Sequence, residues 1–412
     1  MKSTALSKSG WLLAILFCFC SPGQGQIAGH PDFELVESTP VETILDNPDI
    51  RNAHDVWLEM INGAQKTLDI EEFYISNKAG EPLEDVIKAI ESAADRGVTV
   101  RVIAEARFYK TYPETIDRLR KKKNTTVRLL DLGKITGGIQ HSKYFIVDGG
   151  SIFLGSQNFD WRSLEHIHEL GVLIKNKGAV RIYLDIFNLD WKLAESNDRN
   201  DINADLVPRS YTTPFHSVSG ADTITFTPTC SPIGLIIDST LWDEPNIVRI
   251  IESAKEEVSM QFLGYDTRDR GGSEYRVLDD AIRRTAARGV KVRLLVADWE
   301  KGTAGERSLK DLARVPNVEV KFSDIPEWSG GYIPFARVEH CKFVVADSSA
   351  FWLGTSNAEK SYFYRVRNVG VVVASPTLAA ILHRVFAKSW EGPYAERVDP
   401  GKKYEQRERG EK

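Results

Sequence analysis

Residues 141–159 read HSKYFIVDGGSIFLGSQNF, and residues 340–358 read HCKFVVADSSAFWLGTSNA. Both carry His-x-Lys, an Asp five residues after the Lys and an Asn ten residues after the Asp. The two stretches lie 199 residues apart, and the same offset relates Gly155 to Gly354, Gly171 to Gly370, Phe187 to Phe386 and Trp191 to Trp390. Upstream, AADRGVTVRVIA matches TAARGVKVRLLV at an offset of 192, so a loop of different length lies between. A repeat of this length is a duplicated domain-sized unit and not a solenoid. The chain of 412 residues is also longer than one core usually holds, which fits two fused halves.

Within each half, apolar residues at helical spacing alternate with short β-rich runs. LEDVIKAIESAADRG reads as an amphipathic helix stopped by Gly97, followed by the strand VTVRVIAEA, and YRVLDDAIRRTAARG with VKVRLLVAD repeats the pattern. The expected fold class is α/β: a duplicated α/β sandwich with a mixed sheet in each of two pseudo-symmetric halves that share one active site. Residues 26–205 form the first half and 206–399 the second, joined through a polar stretch rich in Asn and Asp. Residues 400–412 form a charged tail without an apolar pattern, expected to be mobile. Arg118 to Lys123 reads as a solvated helix end.

Residues 1–25 read as a secretory signal. Lys2 and Lys8 precede an apolar run from Trp11 to Cys20, and the small residues Ser21, Gly23 and Gly25 follow. An uncleaved anchor is the alternative. A secreted, periplasmic or lumenal location is therefore expected. Past that leader two cysteines remain, Cys230 and Cys341. They are too few for a disulfide framework and lack metal-site spacing, although one bridge stays open. The formal net charge of -5 argues against a protein that coats duplex nucleic acid electrostatically. It leaves room for a locally positive site that grips one phosphate.

On a strand, residues two apart share a face. His141 and Lys143 therefore point one way, as do His340 and Lys342, while Cys341 turns into the core. Asn158 and Asn357 follow on the neighbouring strands. An ammonium beside an amide donor is an anion site, and a His next to a bound phosphate can attack phosphorus or deliver a proton. Duplication supplies two of each, so one imidazole can be the nucleophile while the other protonates the leaving oxygen. Both Lys and both Asn can then stabilise the charged transition state.

These stretches resemble the paired HKD motifs of the phospholipase D superfamily. LGSQNFDWRSL with ELGV, IPFARVEHCKF, LGTSN and SWEGPY resemble the branch of lysosomal single-strand 5′ exonucleases and related poxvirus envelope proteins. The resemblance implies a phosphohistidine intermediate, no metal or other cofactor, and His141, His340, Lys143, Lys342, Asn158 and Asn357 in the site. It implies a structural role for Asp148 and Asp347, and a substrate-side hydroxyl at Ser156 that becomes Thr355 in the second copy. The family often has a Glu bonded to the catalytic His. Glu169 stands in that place, 28 residues after His141, and Asn368 stands in the equivalent place. On this reading Glu169 serves His141 as nucleophile, and His340 is the general acid.

HIHE at 166–169 lacks a third nearby ligand, so His168 is read as a surface or rim residue. Of Glu71 and Glu72, one faces inward. Phe73, Tyr74, Tyr332 and Phe335 are candidates to stack a base, with Tyr74 and Phe335 taken as substrate-binding. The expected function is metal-independent phosphodiester cleavage, exonucleolytic on single-stranded DNA or RNA, with no obligate protein partner. Phospholipase D-type hydrolysis or transfer on phospholipids is the alternative, and an inactive phosphate- or membrane-binding protein is the third reading.

Overall fold

The computed structural model describes Met1 and residues 29–203, 205, 206, 210–219, 222–269, 271–407, 409 and 410. The leader expected over residues 1–25 lies, Met1 aside, outside the described residues. Among the described residues no helix is long and apolar enough to cross a membrane.

Each half forms one nine-stranded mixed sheet. In the first, Thr67–Glu72, Thr99–Glu105 and Thr125–Leu130 run parallel. Tyr144–Val147, Ser151–Gly155, Glu169–Ile174 and Phe33–Ser38 continue the sheet antiparallel. The second sheet repeats the order with Glu257–Phe262, Lys291–Ala297 and Val318–Ser323 parallel. Phe343–Ala346, Ala350–Gly354, Asn368–Ala374 and Asp222–Ser231 follow antiparallel. The duplicated α/β architecture read from the sequence is the architecture observed.

The helix Leu83–Asp95 buries Val86, Ile87, Ile90, Ala93 and Ala94 along one stripe. Gly97, at φ 99°, then takes the left-handed turn that ends it. Helix Val277–Ala287 and Gly289 at φ 90° repeat this. The long helices Lys177–Ser196 and Pro376–Glu391, capped by Asn176 and Ser375, sit between the sheets. Tyr183, Phe187, Leu382 and Phe386 from these helices join Leu154, Val172, Leu353 and Val371 in one core that spans both halves. That shared core fixes the halves against each other, and so fixes the site at their junction.

Each motif Asp opens a tight hairpin. Asp148 and Gly149 have φ of 52° and 60°, and Asp347 and Ser348 have φ of 50° and 47°. Positive φ at both residues turns the chain through a three-residue loop, which sets Val147 opposite Ser151 and Ala346 opposite Ala350. The Asp148 carboxylate accepts from the backbone N–H groups of Gln65, Lys66 and Thr67 at 2.9, 2.6 and 2.9 Å. Asp347 accepts from Lys255, Glu256 and Glu257 at 2.7, 2.9 and 2.9 Å. These aspartates tie the hairpin to the start of the central strand, a full strand away from the His.

In the stretch after Pro400, expected to be mobile, described residues anchor the chain at single points. Tyr404 is buried against Phe322, with ring centroids 5.1 Å apart. The Arg409 carbonyl accepts from the Phe335 N–H at 2.9 Å, and its guanidinium pairs with Asp298. Arg407 pairs with Asp324 at 2.5 Å, so one aromatic and two arginines anchor a segment whose composition alone gives no periodic signal. Arg118 pairs with Glu84 and Glu91 on the neighbouring helix, as a solvated helix end does.

Candidate active site at the junction of the halves

The segment leading into each motif pairs with the opposite half. The His141 N–H donates to Arg367 O at 3.0 Å, and the Arg367 N–H donates to Ile139 O at 3.0 Å. In mirror fashion the His340 N–H donates to His168 O at 2.8 Å, and the His168 N–H to Val338 O at 3.0 Å. This crossing corrects the expected partners. The His340 ring meets the Glu169 carboxylate through Nδ1, and the His141 Nδ1 lies 3.2 Å from Asn368 Oδ1. Glu169 thus serves the imidazole of the other half, because the residue after each cross-paired stretch faces the neighbour's motif and not its own.

His141, Lys143, Asn158, His340, Lys342, Asn357 and Glu169 are all buried. Each Lys Nζ donates to the carbonyl of its own motif His, which curls the ammonium under the imidazole. Burial, and then the neighbouring Lys342, press the Lys143 ammonium well below its ordinary range. Burial pushes Lys342 down to about 7, with Glu169 opposing. Both imidazoles are held well below the ordinary histidine value, by burial first and by the two ammoniums next. Burial drives Glu169 well above the usual carboxylate range against the pull of Lys342. Two buried lysine amines that repel each other's charge form a receptor for an anion, which would restore that charge.

Over this floor lies a cavity of about 300 Å³. His141, His340, Asn158 and Arg162 lie on its lining, together with Phe73, Tyr74, Phe108, Tyr112, Trp299, Phe335 and Tyr362. The two candidate substrate-side aromatics, Tyr74 and Phe335, are on the wall, and Tyr74 is fixed by its hydroxyl on Asp160 at 2.7 Å. Tyr332 instead donates to Gly410 O at 2.8 Å, behind Phe335.

The hydroxyls of Ser156 and Thr355 are not on this wall. Ser156 Oγ accepts from the Leu170 N–H at 3.1 Å, and Thr355 Oγ1 accepts from the Val369 N–H at 3.1 Å. Thr355 also donates to Asn368 Oδ1 at 2.9 Å, so it orients the amide behind His141. Their place is beneath the site, where the strand backbone uses their oxygens.

His168 is neither surface nor rim. It is fully buried, with Nδ1 2.5 Å from Glu339 Oε2. Donor atoms of His168, Glu339 and Cys341 lie within 4.8 Å of one another, so a third ligand type is nearer than the sequence suggested. Burial works against the His168 proton, but Glu339 holds the imidazole above its ordinary value. The position equivalent to His168 is Arg367, paired with Asp190 at 2.7 Å. Both positions therefore set a buried basic side chain on a carboxylate. Glu71 and Glu72 are both buried, because the sheet is covered on both faces. Glu71 accepts from Tyr144, Ser142 and Gln140. Cys230 and Cys341 are free thiols in the core.

Several wall residues were missed from sequence: Phe108, Tyr112, Arg162, Trp299 and Tyr362. Phe73, Tyr74, Phe108 and Trp299 follow the carboxyl ends of the parallel strands, where open α/β sheets place their ligands. That rule is the signal that could have found Phe108 and Trp299.

Residues 57–191 and 247–390 match the family model described as "Cardiolipin synthase, PLD-like domain". The chain is 28% identical over 408 residues to the 5′-3′ exonuclease PLD3 of Macaca fascicularis, covering 90% of this chain and 82% of that protein. It is 27% identical over 382 residues to phospholipase D Z of Dictyostelium discoideum, covering 88% and 90%. Among solved structures, phosphatidylserine synthase of Haemophilus influenzae aligns with a TM-score of 0.61 over 84% of this chain and 85% of that one. At 13% identity that likeness concerns the fold. With the family model matching in both halves, the chain belongs to the PLD-like domain family and is a phosphodiesterase of the phospholipase D superfamily.

Proposed function

We propose that this enzyme cleaves single-stranded DNA or RNA from an end, through a phosphohistidine on His340. The observation that carries the reading is the pair of unequal imidazoles beneath an aromatic cavity. Glu169 fixes the His340 tautomer, leaves Nε2 free to attack and offsets the positive charge of the phosphorylated ring. His141, backed by the neutral Asn368, is the less basic imidazole and the stronger acid once protonated. This reverses the roles expected from sequence because the geometry moves the carboxylate.

In the first step the His340 Nε2–P bond forms, the P–O bond to the departing strand breaks, and His141 gives that oxygen its proton. In the second step His141 takes a proton from water, the resulting hydroxide attacks phosphorus, and the P–N bond breaks. Lys143, Lys342, Asn158 and Asn357 hold the non-bridging oxygens through both steps. The scheme runs on the chain's own residues, without a metal or other cofactor.

The aromatic wall favours a nucleic acid over a lipid head group, because stacking on Tyr74, Phe335 and their neighbours recognises any base. The relatives named as 5′-3′ exonucleases support the same choice. The leader over 1–25 puts the activity in a secreted, periplasmic or lumenal compartment. The test incubates the protein in EDTA with labelled single-stranded oligonucleotides blocked at either end, beside phosphatidylcholine vesicles. Stepwise shortening from one end is expected. Turnover of the vesicles alone overturns the substrate, and activity that returns only with a divalent ion overturns the metal-free scheme.

A further inference from the structure

The duplication gives the cavity two related mouths, and they are built differently. Before His141 the sequence runs Thr136, Gly137, Gly138, Ile139; in register before His340 it runs Phe335, Ala336, Arg337, Val338. On the first side a groove of about 290 Å³ lies between Arg107, Phe108, Gly137, Gly138, Tyr362 and Arg365. It shares Phe108, Ile139 and Tyr362 with the catalytic cavity, so the two adjoin across these side chains. A Cβ on Gly138 would stand 2.0 Å from the Arg365 carbonyl oxygen, and Gly137 has φ 73°. Glycine at both positions lets the two backbones close up and keeps side chains out of the groove.

The related mouth is filled. Trp299 stands where the first half has Arg107, and it packs edge-on against Phe335 with centroids 6.4 Å apart. Arg337 runs inward to donate to Pro326 O and Val41 O, both at 2.7 Å. Arg162 reaches across to Pro334 O at 3.2 Å, and Arg409 holds the Phe335 N–H. Phe335 keeps a left-handed backbone, φ 59°, under these restraints.

We propose that the Arg107–Arg365 groove is a binding subsite for the sugar-phosphate backbone of the strand continuing beyond the scissile bond, and that the Phe335–Trp299 side is the stop for its end. Arg107 is exposed, and Arg365 is held by Asp269 at 2.6 Å. Guanidinium forks match phosphate oxygens, and the Phe108 and Tyr362 rings offer stacking faces between them. The groove also opens beside His141, whose ring lies edge-on to Tyr362 at 5.2 Å. The departing oxygen thus leaves on the side of the imidazole that protonates it. This inference rests on the nucleic-acid reading above and adds a direction to it.

The test compares Arg107→Ala and Arg107→Lys with the wild-type full chain on two substrates: a single-stranded oligonucleotide, and a nitrophenyl ester of a mononucleotide that fills only the cavity. Arg107→Ala is expected to lower kcat/KM for the oligonucleotide about tenfold, through KM, and to reduce the salt slope by about 0.7, the value of one single-strand phosphate contact. Arg107→Lys is expected to restore the salt slope. The small ester should change less than about twofold. Equal losses on both substrates, or no loss on the oligonucleotide, overturn the subsite. Wild-type protein that leaves the oligonucleotide intact overturns the substrate reading, and the inference with it, before any variant is compared.

Discussion

Glu169→Gln keeps the shape of the side chain behind His340 and removes its charge. The variant turns the His340–Glu169 pair into a copy of the His141–Asn368 pair. Attack of His340 on phosphorus places a positive charge on the ring. A unit charge about 4 Å away is worth about 4 kcal/mol at an effective dielectric of about 20. Burial pushes Glu169 toward its neutral form, so only part of that attraction is realised, about 2–3 kcal/mol. At 1.36 kcal/mol per decade the rate of phosphoenzyme formation should fall roughly 30- to 150-fold. The comparable amide replacement behind a catalytic histidine costs about 10⁴-fold and sets the ceiling. Rapid-quench single-turnover measurement with an oligonucleotide reads this step. A drop under about threefold would refute the claim that Glu169 stabilises the charged ring.

His141→Ala should slow cleavage of an oligonucleotide by about 10²–10⁴-fold yet spare the first turnover of a nitrophenyl ester, whose leaving group departs unprotonated; equal loss on both counts against His141 as acid. Lys342 is held at about 7 instead of the ordinary 10.5, so its charge is present below that pH and lost as pH rises through it. The KM for an anionic diester should therefore climb above about pH 7, and a flat KM to pH 9 contradicts the assigned role. Asp148→Ala and Asp347→Ala should each cost about 1–2 kcal/mol in urea unfolding while sparing the chemistry. Burial is the largest single influence and pushes each carboxyl up, but three backbone N–H groups together hold it below its usual range. That stability is full at neutral pH and fades as pH falls through the folded value.

The two halves and their sheets were legible because the repeat keeps register: one offset carries His141 onto His340 and Trp191 onto Trp390. The His, Lys and Asn sets were legible for the same reason. The partner of each imidazole was not. Sequence spacing counts Glu169 from His141, whereas the fold pairs Gln140 with Arg367 and His168 with Glu339 across the junction. Only tertiary structure carries that crossing. Ser156 and Thr355 were assigned to substrate by resemblance, but strand edges claimed their hydroxyls first. The anchoring of Tyr404 and Arg409 after Pro400 was hidden because each acts singly, with no period to betray it.

The account turns on which imidazole carries phosphorus. The direct measurement is acid-free rapid quench of an oligonucleotide reaction, proteolysis and mass spectrometry of the phosphoryl adduct. Adduct on the peptide that contains His340, undiminished in His141→Ala supplied with the nitrophenyl ester, is the predicted result. Adduct on the His141 peptide and none on His340 would contradict it.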